Sequence, residues 1–551
     1  MTNFPPGRDW DILIIGGGIT GAGILLEAAR RGLKALLVEQ RDFAWGTSSR
    51  SSKLVYGGLR YLAEGNLRLT RDAVREREAL LRAAPGLVEA QGFAFAGAGA
   101  NANANAAGSA GTDSGSGRPS GLLAVLRMVD LLAGRREHLV DPPGASRMSA
   151  FVGGFSGGSS GNGGAGRAVS MPGSDVRLRG GIRYTDAKTD DARLVLRVLD
   201  EARTHGAVAC NYVTVQSLVR DGGKVHGAML RDERSLAEHA VRARVVVNAT
   251  GAWSDLQGKD GKSTAARLRP LRGTHLVLAS ARLPLTQAIS LAHPRDGRPV
   301  FVFPWEGVIL VGTTDVDHDE ALAREARITR PEFDYLMEAL QCQFPQLALG
   351  DADVVATFAS VRPVLDSGDG APAQERREHL VWSEPGMISV AGGKLTTFRS
   401  IALDVLRQVA PQLPGWQLRA DRAPVFARVS IPARHDLPAS VLRRLAGRHG
   451  AQVKPLLKAA RGGELDYVPG TQTLWAEVRW AARAEQVHRL DDLMLRRTRL
   501  GLQLADGGEA LLGRVRVICQ EELGWNDEHW EREQAIYLKA WRGQHGVPPA
   551  N

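Results

Sequence analysis

The hydrophobic pattern opens on Asp11-Ile12-Leu13-Ile14-Ile15, an apolar run short enough for one strand buried on both faces. Three glycines follow in the spacing Gly16-x-Gly18-x-x-Gly21, then helical apolar spacing through Ala22, Leu25, Leu26 and Ala29. Gly32 stops that helix, and Ala35-Leu36-Leu37-Val38 predicts a second buried strand ending on Glu39. Further on, the spacing predicts helices over about 67–84 and 191–204, and a buried strand from Val241 to Asn248 that runs into Ala249-Thr250-Gly251. Between 266 and 350 the period becomes two. Thr274 to Val277, Val300 to Phe303, a Trp305-Glu306-Gly307 turn and Val308 to Val311 predict an antiparallel sheet, a suitable floor for a substrate site. From 426 to 551 the chain is helix-rich.

The first fifty residues ask for a dinucleotide. Gly16 permits the tight turn out of the strand, Gly18 lets a pyrophosphate approach bare backbone, and Gly21 lets helix and strand pack closely. The helix start offers free N–H groups and a positive dipole end to phosphates. Glu39, 23 positions after Gly16, is placed for the ribose hydroxyls of the adenosine half.

A hydroxyl-rich loop comes next: Thr47-Ser48-Ser49-Arg50-Ser51-Ser52-Lys53-Leu54-Val55-Tyr56-Gly57-Gly58-Leu59-Arg60-Tyr61. Such a loop can hydrogen-bond a second set of phosphate and ribitol oxygens. This segment resembles the FAD-dependent glycerol-3-phosphate dehydrogenases, within the D-amino-acid-oxidase-like flavoproteins. The resemblance recurs at Gly181 to Asp186, Asp190-Asp191-Ala192-Arg193-Leu194, Val246 to Trp253, Gly273-Thr274-His275, Phe303-Pro304-Trp305 and Gly312-Thr313-Thr314-Asp315. It closes with Ser360 to Pro363, Gly392-Gly393-Lys394-Leu395-Thr396-Thr397 and Asp491 to Arg499.

The resemblance implies an α/β fold: a discontinuous Rossmann-like FAD-binding domain (1–90, 181–265 and 351–425), an antiparallel-sheet substrate domain (266–350) and a C-terminal helical domain (426–551). Residues 91–180 form a cap segment with glycine-rich, low-complexity stretches at 97–120 and 153–168, which are expected to be mobile. An apolar helix is expected between them, from Leu122 to Leu132, as core or as a membrane-interface helix. Residues 441–461 form a second basic amphipathic candidate, read mainly as a solvated helix.

Composition narrows the setting. The chain has 551 residues, enough for two or three domains, and three cysteines, Cys210, Cys342 and Cys519, with no CxxC pair. Neither a zinc site nor a disulfide framework is expected, and no metal. With the first strand beginning at residue 11, no signal peptide is expected, and no apolar run reaches membrane-spanning length. The net charge of +10 fits a solvated basic surface, an anionic substrate or an anionic membrane. Nucleic acid is disfavoured, because the basic residues are dispersed. The expected setting is cytoplasmic and peripheral on the inner face of the cell membrane, with a homodimer left open.

By resemblance, the reaction is oxidation of sn-glycerol 3-phosphate, with electrons passing from FAD to quinone. Guanidinium forks suit a phosphate dianion, and the matched positions are Arg60, Arg362 and Arg377. His275, with an ordinary imidazole pKa, is the expected general base, and Tyr61 an alternative hydrogen-bonding partner. Lys394 is expected to place a cation near the flavin's pyrimidine end. The expected FAD-binding set is Gly16, Gly18, Gly21, Glu39, Thr47, Ser48, Ser52, Lys53, Leu54, Val213, Ala249, Thr250, Gly251, Gly312, Asp315, Gly393, Lys394, Leu395 and Thr396. Tyr56 stands where the family commonly has histidine, and tyrosine is no base near pH 7. That departure and the low-complexity cap keep open an FAD-binding paralogue with impaired catalysis, and a glycerol-phosphate oxidase using oxygen, which has the same pocket, is the other alternative.

Overall fold

A computed structural model describes residues 9–58, 66–96, 169–171, 174–178, 183–257, 268–322, 324–365, 378–421, 423–431 and 436–550. The stretches at 97–120 and 153–168, the expected helix between them, and Arg60, Tyr61 and Arg377 lie outside the described residues.

Strand Trp10–Ile15 sits at the centre of a parallel sheet, between Glu238–Asn248 and Ala35–Glu39. Val208–Asn211 extends it beyond Ala35–Glu39, and Met387–Gly392 beyond Glu238–Asn248. His379–Glu384 closes the latter edge in antiparallel sense. The uninterrupted apolar run has a physical cause. Ile12 and Ile14 pack beneath helices Ile19–Ala29, Asp191–Thr204 and Phe398–Val409, while Leu13 and Ile15 pack on the opposite face with Val225, Ala228 and Leu230 of an antiparallel meander. Burial on both faces leaves no position for a polar residue.

The second sheet has nine strands and is mostly antiparallel. Leu268–Ala279 pairs with Val308–Gly312 on one side and Val354–Leu365 on the other. The period-two segments of 266–350 fall on its strands, and the expected turn is real, with Glu306 and Gly307 both at positive φ. The sheet also draws in Leu54–Val55, Val88–Ala96, Arg183–Thr189 and Val354–Leu365, all from outside that interval. Sequence boundaries at 181 and 351 therefore cut across it. These added strands are joined by cross-strand hydrogen bonds that a linear pattern does not carry. One face of the sheet packs on helix Arg330–Gln343, the other on the C-terminal helices through Trp305, Phe358, Trp475, Met494 and Trp541.

The segment read as one amphipathic helix at 441–461 is two, Ala439–His449 and Val453–Ala459. Its arginines are not merely solvated: Arg448 is buried and donates to Asp190 at 2.8 Å, and Arg444 donates to Glu477 at 2.7 Å.

The Asp491 to Arg499 motif turns out to clasp the two halves of the molecule. Arg497 forks onto Asp42 at 2.6 and 2.7 Å, and Arg496 Nε reaches the same carboxylate at 2.5 Å. Burial alone would raise the Asp42 pKa, yet the two arginines outweigh it and hold the carboxyl below its usual range. Asp42→Asn would leave the buried Arg497 guanidinium without its carboxylate, while Arg496 keeps Asp491 and Asp492, and should cost about 3 kcal/mol of stability. The midpoint of urea unfolding, read at unchanged slope, checks this.

Candidate active site

The turn at the head of the parallel sheet is shaped for bare backbone. Gly16 has φ +113°, and a Cβ there would lie 2.6 Å from the Ala249 carbonyl oxygen. A Cβ at Gly21 would lie 1.9 Å from the Gly16 carbonyl oxygen. Neither position tolerates a side chain, so the strand end and helix start form an open cradle. The Ile19 N–H at that helix start donates to Ser48 Oγ at 2.9 Å, which brings the hydroxyl loop to the cradle.

Glu39 ends the neighbouring strand. Its carboxylate accepts from Gly17 N at 2.7 Å and Arg41 N at 2.9 Å. Burial raises its pKa, and those two N–H groups oppose the rise. Asn211 is its ladder partner, so Val213 lies at the same end of the sheet, packed into the core with Leu13, Leu36 and Val38. Thr250 is anchored by its N–H and hydroxyl to Asn248 Oδ1 at 3.2 and 2.7 Å, and Gly251 follows at positive φ. Open glycine backbone, a strand-end carboxylate and a ring of hydroxyls fit a dinucleotide.

The hydroxyl loop has distinct inner contacts. Thr47 Oγ1 donates to the Val361 carbonyl. Lys53, expected to face the cofactor, is wholly buried, and its ammonium donates to the Ser49 carbonyl at 2.6 Å and Asp191 at 2.8 Å. Burial lowers its pKa to about 7 against the opposing pull of Asp191. Leu54 packs against the cluster beneath the second sheet. Past the loop, the Tyr56 N–H donates to Thr396 Oγ1 at 3.0 Å, joining it to the Gly393-Lys394-Leu395-Thr396 turn. That turn precedes helix Phe398–Val409, with Gly392 and Gly393 both at positive φ.

His275 and Arg362 come from adjacent antiparallel strands. His275 is 1% exposed, stacks on Phe358 with ring centroids 4.6 Å apart, and has Nε2 2.9 Å from Ser52 Oγ. Opposite it, Gly312 leaves the room the ring needs: a Cβ there would lie 2.2 Å from His275 Cδ2. Contrary to the ordinary pKa expected from sequence, burial, then Arg362, then Lys53 push this imidazole well below 6.5. These surroundings favour the neutral ring, which leaves one nitrogen as a proton acceptor, and they make it a weaker base than a free imidazole.

Arg362 reaches over Gly273, where a Cβ would lie 2.2 Å from Nη2. It donates to Asp315 at 3.1 Å and Thr313 at 3.0 Å. Asp315, expected on the cofactor, orients this arginine. Phe358 escaped the sequence reading, although period two from Arg362 puts it on the same strand face, and Thr313 was read only as part of the Gly312 to Asp315 motif. Nothing local marked Asp42, Asp190 and Asp191 as the partners of distant arginines.

The model of the FAD dependent oxidoreductase family matches residues 11–145 and 165–399. That of the C-terminal domain of alpha-glycerophosphate oxidase matches 415–530. The chain is 29% identical over 515 residues, 89% of its length and 87% of the relative's, to the aerobic glycerol-3-phosphate dehydrogenase of Staphylococcus haemolyticus. With its Staphylococcus saprophyticus counterpart it shares 28% over 519 residues, covering 89% and 87%. Among solved structures it is similar to the glycerol-3-phosphate dehydrogenase of Bacillus halodurans complexed with FAD, at TM-score 0.68 and 27% identity, covering 97% of this chain and 95% of that one. The Mycoplasma pneumoniae L-alpha-glycerophosphate oxidase, with FAD bound, shares the fold at TM-score 0.51 and 15% identity, covering 75% and 98%. Glycine cradle, strand-end carboxylate and hydroxyl loop agree with a family match over more than half of the sequence, and the chain belongs to the FAD dependent oxidoreductase family, with FAD as its cofactor.

Proposed function

We propose that this protein oxidises sn-glycerol 3-phosphate at C2 to dihydroxyacetone phosphate and passes the electrons on to quinone. The observation that carries this reading is Arg362, oriented by Asp315 and Thr313, beside the neutral imidazole of His275. The names of the relatives and of the FAD-bound structural neighbour support the same substrate.

FAD, when bound, supplies the hydride acceptor. The chain's own groups do the rest. Arg362, together with Arg60 and Arg377, holds the phosphate dianion through charge-assisted hydrogen bonds. His275 takes the C2 hydroxyl proton, with Ser52 fixing the ring at Nε2. Lys394 would supply positive charge to the bound cofactor, where it would stabilise negative charge on reduced flavin. Gly16, Gly18, Gly21, Glu39, Thr47, Ser48, Ser52, Lys53, Leu54, Val213, Ala249, Thr250, Gly251, Gly312, Asp315 and Gly393 to Thr396 would hold the cofactor.

Among the described residues no helix is long and apolar enough to cross a membrane. A peripheral position beside membrane quinone, supported by the basic charge, goes with this reading. The oxygen-using alternative keeps a specific support, since the model matching 415–530 is named for an oxidase. Anaerobic mixing of FAD-loaded protein with sn-glycerol 3-phosphate, followed near about 450 nm where oxidised flavins absorb, tests the half-reaction. Rapid bleaching is expected. Reoxidation by a quinone analogue without peroxide release then supports the dehydrogenase, and fast peroxide release the oxidase. Firm FAD binding with no bleaching by any glycerol phosphate would leave the impaired paralogue.

Glu39→Gln keeps the shape but loses the charged acceptor, and should weaken FAD by about tenfold. Quenching of FAD fluorescence on titration with cofactor-stripped protein measures this.

A further inference from the structure

The loop from Thr47 to Lys53 is held from a distant part of the chain. Asp190 and Asp191 stand at the start of helix Asp191–Thr204, and both are buried. Asp191 Oδ2 accepts from Ser51 N at 2.8 Å, Ser51 Oγ at 2.7 Å and Lys53 Nζ at 2.8 Å. Its other oxygen accepts from Arg499 Nη2. The same Nη2 donates to the Ser49 carbonyl at 3.0 Å, and Arg499 Nε donates to Asp190 at 3.0 Å. Arg499 is 1% exposed and holds φ +65°, just after the π-helical turn Asp492–Arg497.

One guanidinium therefore grips the loop backbone and the carboxylate that organises the rest of the loop. On the loop's other side, Ser48 touches the glycine-turn helix and Ser52 touches His275. A buried ion pair of this kind adds little net stability, because desolvation offsets the attraction, and what these bonds constrain is geometry. The geometry fixed here is that of the loop.

We propose that Arg499 is a positioning residue for the cofactor site: the C-terminal helical region sets FAD affinity by holding the 47–53 loop in its binding shape. The proposal rests on the reading that this loop contacts FAD.

The test compares two buried arginines in the full-length protein. Arg479 is 2% exposed and pairs with Glu464 and Glu522, all within the C-terminal region and away from the loop. Arg479→Met and Arg499→Met should both lower the thermal midpoint. Only Arg499→Met should weaken FAD, by roughly tenfold to a hundredfold, the loss of charge-assisted bonds to the loop. Arg499→Lys, which keeps the charge but loses the fork, should fall between wild type and Arg499→Met, and decides the matter if Arg499→Met does not fold. Ser48→Ala tests the underlying reading and should weaken FAD without lowering the midpoint as far. If FAD affinity falls equally in Arg479→Met and Arg499→Met, or in neither, the proposal is overturned while the loop reading stands. If wild type binds FAD but Ser48→Ala binds it unchanged, the loop reading falls and the proposal with it. Wild type that takes up no FAD overturns both.

Discussion

His275→Asn is expected to slow flavin reduction by sn-glycerol 3-phosphate by about 10²–10⁴-fold, the range lost when a positioned general base is removed. Asparagine is smaller than histidine and can still hydrogen-bond Ser52, so the loop contact at Nε2 has a substitute. What it cannot do is accept a proton. Bound FAD and the thermal midpoint should change little, which separates lost chemistry from lost structure. Stopped-flow absorbance under anaerobic conditions gives the rate, and a rate near wild type would remove His275 from the reaction.

The pH profile carries a second readout of the same group. Protonated His275 cannot serve as acceptor, so activity falls as pH drops through its pKa. Burial, Arg362 and Lys53 hold that pKa well below 6.5. The acid limb of kcat/KM assigned to His275 should therefore lie below pH 6.5, with no loss from this residue between pH 8 and 6.5. The stability linkage has the same direction. The folded state binds this proton more weakly than the unfolded one, so its contribution is full above the unfolded pKa and fades as pH falls.

Arg362→Met is expected to lower kcat/KM by roughly 10²–10³-fold, because a desolvated, hydrogen-bonded charge partner is lost while the phosphate and Asp315 remain. Arg362→Lys restores the charge but not the fork and should recover only part of the loss. FAD binding should be nearly unchanged in both. The arginine also bears on His275: removing a neighbouring cation raises the imidazole pKa, so Arg362→Met should move the acid limb up toward 6.5. An acid limb that stays in place would mean that the two groups do not share a site.

How much of this was legible before folding depends on the range of each constraint. The glycine cradle was readable because its requirements are local. Gly16 needs a positive φ and Gly21 a close approach to a carbonyl five residues earlier. Helix Asp191–Thr204 was equally plain, since a one-sided apolar stripe fixes its limits. His275 and Arg362 could be picked out only through a resemblance to a family; nothing in their own neighbourhoods shows that they meet.

The sequence by itself thus determined the dinucleotide-binding half, the two kinds of sheet and the helical C-terminal region, because turn geometry and burial on one or two faces act over a few residues. Only the tertiary structure decided that strands from four separate intervals complete the second sheet, since hydrogen bonding between strands has no sequence period. It alone decided that Asp42 meets Arg497 and Asp191 meets Arg499, pairs separated by 455 and 308 residues. It also set His275 apart from an ordinary histidine. A pKa depends on what surrounds the ring in space, and Phe358, Arg362 and Lys53 reach it only when the sheets and the loop have closed around it.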